Sequence, residues 1–334
     1  MLRMVPLPIF DGVNILDSES HQMGNVRLEI VTRDSIYGRP APMRDVGLPR
    51  IDDDLLQCGV YLYASVPDAE RGERIGASGF LLNVPIGEKS ENLSYTVCVT
   101  NRHVIENGFT VARLNAPAGV RVAEFDERHW YLHPEADLAA AIIPVHSMGA
   151  AHRSVDYEAL LTLELLEEQG VGVGDDVFMV GRFINHDGGQ ENIPVARFGN
   201  IAQMPGGAPL CDDFGREQES YIIECRSIGG FSGSPVFVRI PPYTWRPEKG
   251  AVTKEYFGDA LLGVNWCHSS YVEPVVGPSG KDMGTGQHVR SHTGLAGVIP
   301  AWRLVELLES DPLKAALSEP LPVTTWGADY EGSV

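Results

Sequence analysis

"GGFSGSPVF", residues 229–237, sets a serine among small residues and runs at once through Pro235 into an apolar stretch. Glycine, serine and proline are turn residues, so this segment reads first as a turn feeding a strand. Ser232 at its apex gains a chemical meaning only if the rest of the chain supplies partners. Upstream, from Gly59, the chain is a series of short β-type runs: "GVYLYASV", "ASGFLLNV", "SYTVCVT", "FTVARL" and "DLAAAIIPV". Each is rich in Val, Ile, Leu, Tyr or Phe and bounded by turn residues.

"DYEALLTLELLEEQG", Asp156 to Gly170, interrupts the series with leucines at helical spacing and a glycine stop. A second β series follows in "DDVFMVGRF", "IPVARFGNIAQM", "ESYIIECR", "SPVFVRI", "DALLGVNW" and "GLAGVIP", and "AWRLVELLES" closes it as an amphipathic helix. The pattern predicts an all-β protein of two six-stranded antiparallel barrels, residues 56–150 and 171–300, joined by a helical linker 151–170 and ending in a C-terminal helix. Residues 1–55 read as an extension, and 311–334 as a polar tail. Asn185–Asn192 and Ser269–His292 read as long glycine-rich loops of the kind that rim a site.

The chain has 334 residues, 43% hydrophobic and 21% charged, the balance of a globular protein with a real core. No run approaches 18 consecutive apolar residues, so no membrane span is expected. The start, "MLRMVPLPIFDGVNILDSESH", breaks any apolar core with Pro, Asp and Asn and reads as an ordinary cytoplasmic N-terminus. With 26 basic and 45 acidic side chains the net charge is −19, which repels phosphate backbones and anionic lipid and argues against nucleic-acid or membrane partners. Cys58, Cys98, Cys211, Cys225 and Cys267 form no CxxC pair. They are expected as reduced thiols in a reducing compartment, with neither disulfide scaffold nor structural zinc.

A nucleophilic serine needs a histidine base and an acidic group to orient it. "TVCVTNRHVIENG" ends an apolar strand at Thr100 and presents His103 just after the turn. "HPEADLAAAIIPV" places Asp137 immediately before a small apolar run, where it is shielded from water. Asp126 competes for the role but sits in the charged "EFDERHW". The α/β-hydrolase elbow is excluded, because G-x-S-x-G fails at Ser234 and the histidine precedes the serine. No histidine stands in a metal-binding pattern.

The order His103, Asp137, Ser232, with the local sequences "VTNRHVI", "ADLAAAII" and "GGFSGSPVF", resembles the chymotrypsin/trypsin-like serine peptidases, in particular the bacterial branch that includes the HtrA-type proteases. The resemblance covers roughly Leu56 to Leu308. It implies a serine endopeptidase acting on protein or peptide substrates through an acyl-enzyme, with no metal or cofactor. Ser232 would be the nucleophile, His103 the base, Asp137 its orienter, and the N–H groups of Gly230 and Ser232 the oxyanion donors. Asn265, Trp266 and Cys267 resemble the strand beside which substrate lies, as in strand addition. Arg226, six residues before the serine, stands near the base of the family's specificity pocket, where it would favour an acidic side chain. Its alternative is a solvent-facing or Glu224-paired arginine.

The chain departs from the family in several places. Phe231 replaces the aspartate with which secreted members bind a freed N-terminus, Ser234 replaces a glycine, and Val104 replaces a disulfide cysteine. No C-terminal peptide-binding domain is recognisable after Leu308. Two rival readings follow: a peptidase-fold protein that binds polypeptide with little turnover, and an enzyme inactive until a partner or residues 1–55 rearrange.

Overall fold

The structure is a computed structural model, and it describes residues 50–74, 76–86, 93–182, 191–212, 214–225, 230–246, 250–253, 258–279, 284 and 286–318. Eight strands form the first β body: β1 (Gly59–Tyr63), β2 (Ala77–Ile86), β3 (Leu93–Thr100), β4 (Val111–Asn115), β5 (Val120–Glu124), β6 (Tyr131–Leu132), β7 (Ala139–Ile142) and β8 (Val155–Asp156). They run in the order β5-β4-β1-β2-β3-β7-β6, with β8 added to β2 in parallel. Side chains alternate across a strand, and the packing obeys that period. Leu81 of β2 and Cys98 of β3 enter a core belonging to this body. Phe80, Leu82, Val97 and Val99, on the opposite face, join a core shared with the second body.

The second body contains β9 (Asp176–Gly181), β10 (Val195–Gln203), β11 (Leu210–Cys211), β12 (Glu217–Gln218), β13 (Tyr221–Glu224), β14 (Pro235–Ile240), β15 (Tyr243–Arg246), β16 (Gly250–Thr253), β17 (Gly258–Pro274) and β18 (His288–Pro300). Six of them close into a barrel in the order β10-β13-β18-β17-β14-β9. Pro235 opens β14, where a missing N–H costs least. Phe178 and Phe237 stack inside with ring centres 5.1 Å apart. Helix Ala301–Leu308 follows β18 directly and buries Ala301, Leu304, Leu307 and Leu308.

The all-β architecture with a C-terminal helix is as the pattern predicts, and the second barrel closes. The first body is a curled half-barrel, its end strands β5 and β6 unpaired with each other among the described residues. Three segments differ from their sequence reading. The expected helix over 156–170 breaks into a 3-10 turn at Tyr157–Ala159 and an α-helix over Leu163–Gln169, the latter capped by the Thr162 hydroxyl, which accepts from the Leu165 N–H at 3.2 Å, and stopped at Gly170 with φ +61°. Leu160 and Leu161 instead lie against β17, the Leu161 N–H donating to the Leu261 carbonyl at 3.0 Å. Within the expected loop 269–292, β17 and β18 continue as a paired ribbon from Ser270↔His292 to Pro274↔His288. The expected tail begins with a helix, Asp311–Ser318, that buries Leu313 and Leu317. Residues 1–49, 183–190 and 319–334 lie outside the described residues, and with them most of the expected extension, most of the loop Asn185–Asn192 and the end of the tail. No helix among the described residues is long and apolar enough to cross a membrane.

Candidate functional site

The site lies where the end of β3 meets the turn before β14. Asn101 precedes the short helix Arg102–Glu106, which presents His103. Asp137 reaches it from the loop before β7 and clasps it at two points. The Asp137 Oδ1 accepts the His103 backbone N–H at 2.8 Å, and Oδ2 lies 2.6 Å from the ring Nδ1. A carboxylate only accepts, so Nδ1 carries the proton and Nε2 is left with its lone pair, the tautomer a general base requires. Both side chains are only 13% exposed, which strengthens the pairing by excluding water. Asp126 is elsewhere, in a surface ion pair with Arg128 at 3.0 Å.

The loop carrying Asp137 is built around His133, buried at 3% exposure. Its Nδ1 accepts the N–H groups of Glu135 (3.1 Å) and Ala136 (2.8 Å), and its Nε2 donates to Glu306 on the C-terminal helix at 3.1 Å. From the other body, Gln218 of β12 accepts the Asp137 N–H at 2.8 Å. Asn101 donates its side-chain amide to the Asp137 carbonyl at 3.0 Å. Asp137 is thus held through its backbone as well as its carboxylate.

Ser232 sits in a turn whose flanks are glycines in the left-handed region, Gly230 at φ +93° and Gly233 at φ +84°. A side chain at 233 would run into the Ser78 carbonyl and the Thr100 hydroxyl, so glycine is required by conformation and by space. The same crowding shows that the strand end leading to His103 abuts the serine turn. Ser78 of β2 ties the two bodies together there. Its N–H donates to the Ser232 carbonyl (2.9 Å), its hydroxyl donates to the Gly230 carbonyl (2.7 Å) and accepts the Arg182 N–H (3.0 Å), and its carbonyl accepts the Thr100 hydroxyl (2.9 Å). The N–H groups of Gly230 and Ser232 donate to no acceptor among the described residues. Phe231 is fully buried in the shared core, with the Arg197 guanidinium 5.0 Å from its ring centre. Ser234 is also fully buried, and its side chain fits because Gly181 faces it without a Cβ.

The Ser232 hydroxyl makes a long contact, 3.5 Å, to the carbonyl of Trp266, and no hydrogen bond joins it to His103 among the described residues. Trp266 is the extra residue of a bulge between Asn265 and Cys267, each of which has a partner on β18. Bulges re-aim groups beside sites, and here the bulge turns a backbone carbonyl toward the serine. The Trp266 ring is buried, its Nε1 donating to the Ser220 hydroxyl at 2.9 Å. Cys267 is half-buried, and burial pushes its thiol up to about 12. Asn265 is placed differently from the sequence expectation of a substrate-facing backbone. Its N–H donates to the Ser234 carbonyl and its carbonyl accepts the Gly233 N–H, both at 2.9 Å, so these groups serve the serine turn. Arg226 lies outside the described residues. Sequence reasoning missed Ser78, Asn101, His133 and Gln218; the only signal was polar residues beside apolar runs, as in "GASGF" and "VTNRH".

The described residues hold no cluster of three or more metal-ligating side chains. Burial raises the Cys58 and Cys98 thiols to about 12 and that of Cys225 to about 11, so none of these is an activated nucleophile. Fold and site together define a protein of two β bodies with a clasped histidine–aspartate pair beside a serine turn. No protein-family model and no curated protein matches the chain. Among solved structures it is similar to the MamO protease domain from Magnetospirillum magneticum, at 16% identity over 77% of this chain and 99% of that one, with a TM-score of 0.41. It is also similar to the active form of the Rv3671c protease from M. tuberculosis, at 14% identity over 93% of this chain and 97% of that one, with a TM-score of 0.40.

Proposed function

We propose that the protein is a serine endopeptidase that cleaves polypeptides through an acyl-enzyme, with Ser232 as nucleophile, His103 as general base and Asp137 as its orienter. The observation that carries this reading is the two-point clasp of His103 by Asp137, which leaves Nε2 as an acceptor beside the serine turn. The reading requires a change of Ser232 χ1 between staggered wells that carries its hydroxyl from the Trp266 carbonyl to that nitrogen. Catalytic hydrogen bonds are commonly long before substrate is bound.

Ser232 Oγ then attacks the peptide carbonyl carbon and its proton passes to His103 Nε2, while Asp137 stabilises the imidazolium. The carbonyl oxygen, now an anion, takes the N–H groups of Gly230 and Ser232. His103 returns the proton to the departing amine, and water releases the acyl group by the same steps. The extended substrate adds to the edge of β17 from Trp266 onward. Unpaired thiols suit work in a reducing compartment.

A second reading, a cleft that binds polypeptide without turnover, is favoured by one observation: the serine hydroxyl contacts Trp266 rather than His103. Incubating wild-type and Ser232→Ala protein with a peptide library, and reading new N-termini by mass spectrometry, separates the two. Cuts made only by the wild type support the peptidase. Retained peptides with no cuts support the binding cleft.

A further inference from the structure

The N–H of Ser232 belongs to the peptide unit whose carbonyl is that of Phe231, and a trans peptide points the two in opposite directions. Whatever holds the Phe231 carbonyl therefore aims the Ser232 N–H. Two donors hold it. One is the Ser234 N–H at 3.0 Å, part of the turn itself. The other comes from outside the turn, the side-chain amide of Asn265 on β17, at 2.9 Å. Asn265 and Phe231 are both buried, at 1% and 0% exposure, so the carbonyl points into the protein and the N–H away from it. Asn265 is itself fixed to the same turn through its backbone bonds to Gly233 and Ser234.

From this geometry we infer that Asn265 is a positioning residue for catalysis: its amide keeps the Phe231 carbonyl turned inward and thereby presets the Ser232 N–H as an oxyanion donor. Without that amide, only the turn's own bond among the described residues resists rotation of the peptide unit. That rotation runs through Phe231 ψ and Ser232 φ, the two soft dihedrals flanking the rigid unit. A rotated unit would present a carbonyl oxygen to the developing oxyanion and repel it. Asn265 needs no contact with substrate, so its loss acts on the transition state and leaves ground-state binding alone.

The inference rests on the serine-peptidase reading, and its test keeps the two apart. Wild type, Ser232→Ala, Asn265→Asp and Asn265→Ser are compared for kcat and KM on a cleaved peptide. They are also compared for binding of a peptide boronate, a tetrahedral oxyanion mimic, and of the product peptide, with thermal unfolding alongside. Asn265→Asp keeps the shape of the side chain but removes the donor. The expected result for Asn265→Asp is a kcat lower by about 10²-fold, the cost of a small misplacement of a reacting group, with a similar loss of boronate affinity. KM and product affinity should stay within about twofold. An unchanged ratio of boronate to product affinity in folded variants would overturn the inference. So would failure of both variants to fold, because Asn265 would then be a packing residue. Equal inactivity of wild type and Ser232→Ala would sink the peptidase reading instead.

Discussion

Replacing Asp137 by asparagine changes one atom type and tests the tautomer argument directly. In the structure Oδ1 is committed to the His103 N–H at 2.8 Å and Oδ2 faces Nδ1 at 2.6 Å. An asparagine has one oxygen for these two places. If the oxygen stays on the backbone N–H, the NH₂ group faces Nδ1, which must then give up its proton and accept. The proton moves to Nε2, and the imidazole can no longer take one from Ser232. The reverse orientation sets NH₂ against the backbone N–H and leaves a poorly solvated donor unpaired, at about 1–3 kcal/mol. The first orientation therefore prevails. The expected loss is ~10⁴-fold in kcat for a wrong-tautomer triad, or about 5 kcal/mol of transition-state stabilisation. KM should stay unchanged, because Asp137 does not touch substrate. The assay is steady-state cleavage of a fluorogenic peptide at saturating concentration, with Asp126→Asn beside it. Asp126 pairs with Arg128 at the surface, so its variant should keep activity within about twofold. An Asp137→Asn protein with more than about a tenth of wild-type kcat would refute the reasoning.

Other consequences follow from the same contacts. Gly233→Ala places a side chain at φ +84° against the Ser78 carbonyl and Thr100 hydroxyl; it should cost at least ~2 kcal/mol in urea unfolding and abolish peptide cleavage. His133→Ala strips the acceptor from the Glu135 and Ala136 N–H groups and should destabilise by about 1–3 kcal/mol. His133→Asn, whose side-chain oxygen can rebuild an Asx turn, should recover most of that loss, measured by thermal unfolding. Cys58 and Cys98 have thiols raised by burial from 9.0 to about 12. Unfolded thiols ionise first as pH rises, so their contribution is whole below pH 9 and is lost between pH 9 and 12, at about 1.4 kcal/mol per pH unit for each. Cys98→Ala should reduce that alkaline slope by one thiol's share, read from unfolding curves at pH 9, 10 and 11.

The architecture was legible because strand composition and turn chemistry are local properties. "DDVFMVG" and "SPVFVRI" became β9 and β14 with little shift, and "GLAGVIP" became the second half of β18. The pairing of His103 with Asp137 was legible for another reason: few residue types can act as base and orienter, and each stood at the end of an apolar run. Tertiary context decided what was missed. Leucines at 160 and 161 fit a helical period, yet their burial against β17 outweighed it, and the helix starts only after Thr162. Polar residues and glycines around Ser269–His292 read as a loop, whereas β17 and β18 carry one another past the barrel and need no buried face there. Alternation along "GVNW" does not reveal the bulge at Trp266, so it could not show that the Asn265 backbone bonds to the serine turn while the Trp266 carbonyl faces Ser232. Ser78 was invisible, since its importance lies in four hydrogen bonds to residues distant in sequence.

Peptide cleavage by this site requires that His103 activate Ser232. Labelling of the purified protein with a fluorophosphonate probe, followed by peptide mass spectrometry, tests it without knowledge of the natural substrate. A single adduct on Ser232 is expected, lost in both Ser232→Ala and His103→Ala proteins. An unlabelled wild-type protein, or a label that survives His103→Ala, would contradict it.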